Sequence, residues 1–307
     1  MDVVTVGPEE VRSLISMPEA IQAVRDGFLA LGRGEFEMPT RTALRDGQFL
    51  VMSAHHRPTE SAMIKTLSLN FASRTPAIVG TVVWSDLHRT DHLVADAAAV
   101  TALRTGAITG VATDLMARPD AEVCAIIGAG GQSADQVRAV HAVRPISSLR
   151  VVDRDLSRAE ELAALVTAKL GITEVRVGDD ADDSARDADI VCCATTATSP
   201  LFRLESLAPD VHVNAIGAFR PTMRELPDEL LADATVVIDE LDAILEESGE
   251  VIHAIASGAI TENDLIELSA ALGGAVPQRA GRTVFKSVGV ALQDWAIAHR
   301  LAQKCLI

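Results

Sequence analysis

"EVCAIIGAGGQSADQVRAVHAV", residues 122–143, decides the fold. Its first part, 122–128, is an apolar run of strand length, and from Gly131 onward apolar residues recur at helical spacing. Glycines fill the junction. Gly128 permits a tight turn, and Gly130, followed by Gly131, lets the backbone approach a pyrophosphate that faces the positive end of the helix. Ser133 stands where a third glycine completes the dinucleotide fingerprint, so the motif by itself is weak. Its context is stronger, because Asp153 ends the next apolar run, "SLRVVDR" at 148–154. A carboxylate there accepts bonds from the ribose hydroxyls of NAD and repels a 2′-phosphate. Arg154 can pair with that phosphate in NADP. The competing readings make Asp153 a turn residue and Arg154 a solvated charge.

Working outward, strand and helix alternate. "SRAEELAALVTAKLG" (157–171) is a helix with a serine start and a glycine stop. "EVRVG", "ADIVCCAT", "HVNAIG" and "ATVVID" supply further strands. Such alternation predicts an α/β fold, a Rossmann-type doubly wound parallel sheet, over residues 118–284. Thr195 and the run Asn214, Ala215 and Ile216 end later strands at the edge where ligands bind, so they are cofactor candidates. Before residue 118, a helical pattern covers 8–34. Three strand-like stretches, "QFLVMSA", "AMIKTLSLNF" and "AIVGTVVWSD", follow. A helix over about 91–117 is then closed by Pro119. The final "SVGVALQDWAIAHRLAQKC" reads as an amphipathic helix. Residues 1–117 plus 285–307 therefore form a second, α+β domain built from both chain ends.

Composition narrows the function. The chain has 307 residues, 48% hydrophobic and 23% charged, with a net charge of -16. That charge argues against nucleic acid or an anionic membrane as partner, while leaving small anions open. No window is apolar enough to span a membrane, and the opening residues do not read as a signal peptide. Cys124, Cys192, Cys193 and Cys305 lack zinc-ligand spacing and read as free thiols of a reducing, cytoplasmic compartment. No metal site is expected: His55-His56 are adjacent, and His88 and His92 lack further ligands. The acidic run "DELDAILEESGE" (239–250) reads as a helix start with a solvated face. Trp84 and Trp295 read as packing residues.

Three cations stand in apolar or small-residue settings: Arg41 in "MPTRTAL", Lys65 in "AMIKTLSL" and Arg104 in "ALRTGA". A buried ammonium is costly unless an anion meets it, so Lys65 is the most informative. The bland alternatives are a lysine on the exposed face of an edge strand and a surface arginine. Together the three can clamp a carboxylate, the arginines by two-pronged contact and the lysine as a point charge.

These residues resemble the ornithine cyclodeaminase/mu-crystallin family. The shared segments run from about residue 38 to 295: "MPTRTAL", "MIKTLSLNF", "VTALRTGAITGVATDLMARPDAEVCAIIGAGGQS", "NAIGAFRPTMREL" and "TVFKSVGVALQDW". The resemblance implies a Rossmann-type domain that binds NAD or NADP, with NAD favoured by Asp153. It also implies a substrate domain that forms a homodimer. By matched motif, Arg41 and Lys65 hold the substrate carboxylate and Arg104 lies between substrate and cofactor. Thr81 and Thr105 lie near the cofactor, and Gly131, Gln132, Asp153 and Thr195 line it. Ser287 and Val288 close over the nicotinamide, and Val288 also meets the substrate.

One departure bears on the reaction. Cyclodeaminases of the family carry an aspartate two residues after the glycine matching Gly217, where this chain has Phe219. The loop "NAIGAFRPTMREL" is similar to that of the mu-crystallin and ketimine reductase branch, with Arg224 and Glu225 read as a salt-bridged loop exit. The expected function is an NAD(P)H-dependent reductase of α-imino acids such as pyrroline- or piperideine-2-carboxylate, or an amino-acid dehydrogenase in reverse. Lys65 is the expected proton donor. Two alternatives stay open: an ornithine cyclodeaminase, and a non-catalytic protein that binds NADP and a small ligand.

Overall fold

The computed structural model describes residues 2–71, 76–275 and 281–306. The chain divides into two compact units, Met1–Ile108 with Val290–Ile307, and Thr109–Gly289. The first division falls inside the helix Ala97–Met116, and the return falls after Gly289.

Among the described residues, the first unit carries a seven-stranded sheet. Its strands are β1 (Val3–Val6), β2 (Phe36–Glu37), β3 (Thr42–Leu44), β4 (Phe49–His56), β5 (Ser61–Leu69), β6 (Ile78–Asp86) and β7 (His92–Asp96). They lie in the order β1-β7-β6-β5-β4-β2, with β3 on β4. Among the described residues only the β1–β7 pair of this sheet is parallel. Strict alternation sets the two faces of β5: Ser61, Met63, Lys65, Leu67 and Leu69 are buried, while Ile64 and Thr66 are exposed. The last helix, Ala291–Cys305, packs on β4 to β7 and on the helix Met17–Gly32. Its Trp295 meets Phe36 edge-on at 5.0 Å, stacks on His299 at 4.7 Å and donates its indole N–H to Ser61 Oγ.

Three sequence expectations change here. The helical pattern over 8–34 is two helices, Pro8–Leu14 and Met17–Gly32. Ser16 starts the second with a capping box to Glu19 and Pro18 follows, so the chain turns where apolar spacing alone runs on. The helix expected from about 91 begins at Ala97, because His92–Asp96 is claimed as β7 by partners on both sides; Asp96 Oδ1 then accepts the Ala99 N–H at 2.7 Å. The last helix begins at Ala291 rather than Ser287.

The second unit is the predicted parallel sheet. Its strands are β8 (Val123–Ile127), β9 (Ser148–Val152), β10 (Glu174–Gly178), β11 (Ile190–Cys193), β12 (His212–Ala215), β13 (Thr235–Ile238), β14 (Leu265–Glu267) and β15 (Thr283–Lys286). They lie in the order β10-β9-β8-β11-β12-β15-β13-β14, all parallel. β8, β11, β12 and β15 are buried almost throughout, which explains the unbroken apolar runs of β8 and β11. The chain winds one way from β8 and the other way from β11, so the switch point lies between them. β15 was not anticipated: "TVFK" is short and flows into a helical-looking stretch, yet it fills the place between β12 and β13. The helix Leu156–Leu170 is capped by Asp155, which accepts from Ser157 N–H and O–H, and not by Ser157 itself. Gly171 ends it at φ +72°.

Candidate functional site

In the first unit, the alternation of β5 places Lys65 on the covered face of an internal strand, not on an exposed edge. Its ammonium is fully buried and donates to Asp294 Oδ1 at 2.7 Å. Arg104 approaches the same oxygen, with Nε at 3.4 Å, and its NH1 donates to Gln293 Oε1 at 2.6 Å. Burial is the largest influence on Lys65 and pushes its pKa down to about 7. Asp294 opposes the fall, and the charges of Arg104 and Arg41 add to it. Arg41 is half-buried in the segment before β3. Lys65 and Arg104 therefore share a buried carboxylate, and both arginines singled out in the sequence act electrostatically on Lys65. Such a group of fixed positive charges suits a small anion.

Asp294 and Gln293 were missed. Helical periodicity assigns polar residues to the outer face, and here both are fully buried. The available signal was "ALQDWAIA", where two polar residues interrupt an otherwise apolar helix start. Thr81 lies exposed on β6 with its hydroxyl 3.3 Å from Thr66 Oγ1. Thr105 is buried, its hydroxyl donating to the Thr101 carbonyl at 2.6 Å.

In the second unit, Gly128 has φ +99°, and a Cβ there would stand 2.6 Å from the Ala194 carbonyl oxygen. A side chain is excluded on both counts. At Gly130 and Gly131 a Cβ would meet nothing within 4 Å, so the loop is open on that side. The helix Ser133–Val143 follows, with Gln132 at its N-cap position, half-buried and making no side-chain cap. Ser133 is no defect in the fingerprint: its hydroxyl donates to the Gly128 carbonyl at 2.6 Å and ties the loop to the helix. Asp153 accepts the Ala129 N–H with Oδ2 at 2.7 Å and the Asp155 N–H with Oδ1 at 2.9 Å. It thus also builds the turn, while Arg154 is exposed beside it. An open glycine loop, a helix N-terminus and a carboxylate on the neighbouring strand together fit a dinucleotide.

The rest of this edge is organised by a residue read from sequence as a salt-bridged loop exit. Glu225 is fully buried and has no bond to Arg224, which pairs instead with Asp228 at 2.6 Å. Glu225 Oε1 accepts from Thr195 N–H and O–H at 2.7 and 2.8 Å, and Oε2 accepts from Gly217 and Ala218 N–H at 2.8 and 3.1 Å. One carboxylate so joins the loops that follow β11 and β12. Burial raises its pKa, nearby Lys286 pulls it back, and Glu250 adds to the rise. Lys286, fully buried on β15, donates to the Ala218 carbonyl at 2.5 Å and to Glu250 Oε1 at 3.1 Å.

Two placements differ from expectation. Asn214 does not present its side chain at the sheet edge. It is fully buried, bonded to Thr113 Oγ1 at 3.0 Å and His212 Nε2 at 3.1 Å, because strand alternation turns it into the core. Ala215 and Ile216 are buried at the end of β12. The acidic run 239–250 is not a solvated face throughout, since Asp239 and Glu250 at its two ends are fully buried. Asp239 Oδ2 accepts Ser287 O–H at 2.7 Å and the N–H groups of Val288 and Gly289 at 3.0 and 2.8 Å, which fixes the loop after β15. Phe219 is half-buried with the Arg220 guanidinium 5.4 Å from its ring centre.

Known proteins share this architecture. A Delta(1)-pyrroline-2-carboxylate reductase of Bacillus cereus is 33% identical, covering 98% of this chain and 96% of the relative. The ketimine reductase mu-crystallin of Macropus fuliginosus is 31% identical over 94% of this chain and 91% of its own. The structure of Thermococcus litoralis Delta(1)-pyrroline-2-carboxylate reductase, in complex with NADH and L-proline, superposes with a TM-score of 0.93 at 30% identity, covering 99% of this chain and 97% of that one. Residues 3–306 match the ornithine cyclodeaminase/mu-crystallin family as a whole, and the chain belongs to that family.

Proposed function

We propose that the protein is an NAD(P)H-dependent reductase of α-imino acids, pyrroline-2-carboxylate being the first substrate to try. The observation that carries this reading is a buried lysine, with a pKa near neutrality, grouped with two arginines on a family fold whose second unit has a dinucleotide edge. The reductases named above support it. Arg41 and Arg104 bind the substrate carboxylate, and Lys65 adds a point charge. Gly128, Gly130, Gly131 and Gln132 would hold the cofactor's phosphates and Asp153 its ribose, Thr195 would line the dinucleotide, and Ser287 and Val288 would close over the nicotinamide. A nicotinamide held there would supply the hydride for the imine carbon. The substrate nitrogen must gain one proton as that carbon is reduced, and Lys65 Nζ delivers it. Phe219 stands where the family's cyclodeaminases carry an aspartate, so this chain lacks their proton acceptor and excludes water instead.

The pH dependence follows from Lys65. Reduction needs the ammonium, which is lost as pH rises through about 7. Amino-acid oxidation needs the free amine as base, so it strengthens over the same interval. Steady-state profiles in both directions check this; parallel profiles would remove Lys65 as the shuttle. A panel of pyrroline-2-carboxylate, piperideine-2-carboxylate and ornithine with NADH and NADPH tests the function itself. Consumption of reduced cofactor with the cyclic imines is expected. Ammonia and proline from ornithine with catalytic NAD, without imine reduction, would refute the proposal.

The protein is a homodimer in this reading. Phe49, Val51, Ile64 and Val79 are 37–51% exposed on neighbouring strands β4 to β6, an apolar patch suited to an identical sheet. Ile64→Asp is expected to yield monomers by sedimentation velocity, and an unchanged dimer would place the interface elsewhere. No helix among the described residues is long and apolar enough to cross a membrane. The four free cysteines, three of them buried, suit the cytoplasm.

A further inference from the structure

The last helix sends two consecutive polar side chains into the covered side of the first unit's sheet. Gln293 and Asp294 are both fully buried, and Asp294 Oδ2 has no hydrogen-bond partner among the described residues. Its other oxygen serves two cations, Lys65 at 2.7 Å and Arg104 at 3.4 Å. The charges acting on Lys65 come from three elements: Asp294 on the last helix, Arg104 on the helix Ala97–Met116, and Arg41 before β3. Two positive groups, Lys65 and Arg104, therefore share one carboxylate oxygen, and Arg41 adds positive charge that acts on Lys65.

We propose that Asp294 is a positioning residue for proton delivery: its carboxylate fixes Lys65 Nζ and Arg104 relative to one another and supplies the charge that keeps the transferable proton on Lys65. This rests on the reductase reading above. Without Asp294, desolvation and two guanidinium charges would all strip the proton from Lys65. With two carboxylates, the proton would be held too firmly to leave. A single carboxylate leaves Lys65 protonated below neutrality and able to lose its proton near it. The step balances. The hydride pair forms the new C–H bond, the C=N π pair moves to nitrogen, and an N–H bond forms there as one N–H bond of Lys65 breaks. Lys65 is left neutral and recovers its proton from solvent.

The sequence itself makes the test practical, because its lysines are only Lys65, Lys169, Lys286 and Lys304. In full-length protein with [13C-ε]-labelled lysine, Lys65→Arg identifies the Lys65 signal, and its titration is followed by NMR. In the wild type the midpoint is expected at about 7. Asp294→Asn should lower it by about 1–3 pH units, the effect of losing a neighbouring opposite charge. Asp294→Glu, which keeps the charge, should restore most of the difference. The high-pH limb of kcat/KM for pyrroline-2-carboxylate reduction should move with the midpoint, while NADH affinity stays unchanged. An unmoved midpoint in Asp294→Asn overturns the proposal even if activity falls. Should that variant not fold, the wild type still decides: a lysine titrating at its ordinary value means that Asp294 locks the proton, and the proposal fails. A midpoint that moves in a protein without imine reductase activity sustains the charge role of Asp294 and sinks the reductase reading instead.

Discussion

Lys65→Ala is expected to lower kcat for imine reduction about 10²–10⁴-fold, the range for loss of a positioned general acid. KM for the imino acid should rise as well, because the lysine also contributes charge to the carboxylate clamp. The substitution leaves Asp294 buried with Arg104 beside it, at 3.4 Å, and without its nearer cation. Breaking a buried pair in this way costs about 3–5 kcal/mol, so folding must be verified alongside activity. Lys65→Arg separates the two roles: it keeps a positive charge for binding and cannot release a proton near neutrality. Rapid-quench or steady-state assays at pH 6 and pH 8 suffice. If Lys65→Ala kept near-wild-type kcat with only a raised KM, proton delivery would have to come from elsewhere.

Glu225→Ala should abolish cofactor binding and destabilise the second unit. Four donors, from Thr195, Gly217 and Ala218, would lose their acceptor in a fully buried place, and Lys286 would lose a carboxylate that acts on it. An unsatisfied buried donor costs about 1–3 kcal/mol, although relaxation and water entry reduce the sum. The geometry is tight: a Cβ at Gly217 would stand 2.3 Å from the Thr195 carbonyl oxygen and 2.4 Å from Glu225 Oε1. Thr195 and Gly217 therefore cannot shift independently to fill the gap. Calorimetric unfolding and NADH titration measure the outcome, with Glu225→Gln as the milder variant that keeps the shape and one acceptor oxygen. Wild-type NADH affinity in Glu225→Ala would show that the two loops hold their positions without it.

Much of this was legible in the sequence, for reasons that can be named. The strand, glycine loop and helix over 122–143 are local, and each glycine is dictated by its own backbone or neighbours. Lys65 stood out because a charge in an alternating apolar strand violates the face it occupies. Asp294, Asp239 and Glu250 did not, because acids on helices or beside other acids normally face water, and only long-range pairing with Lys65, Ser287 and Lys286 buries them. The same distance in sequence hid β15, a four-residue strand whose identity comes from β12 and β13 on either side. The His92–Asp96 strand was masked by the alanine-rich helix that follows it, since periodicity cannot mark where one element hands over to the next.

The last helix has one more implication, for the order in which the molecule is made. Residues 109–289 form a continuous unit that can collapse as soon as it has emerged from the ribosome. The sheet begun by residues 3–96 is synthesised first, yet the helix that packs on β4 to β7 arrives almost 200 residues later in the chain. Until then its covered face, with Met63, Leu67, Val82 and Trp84, is open to aggregation, and Lys65 has no counterion. Nascent chains released before residue 290 should therefore be clients of chaperones, even though their nucleotide unit is already whole.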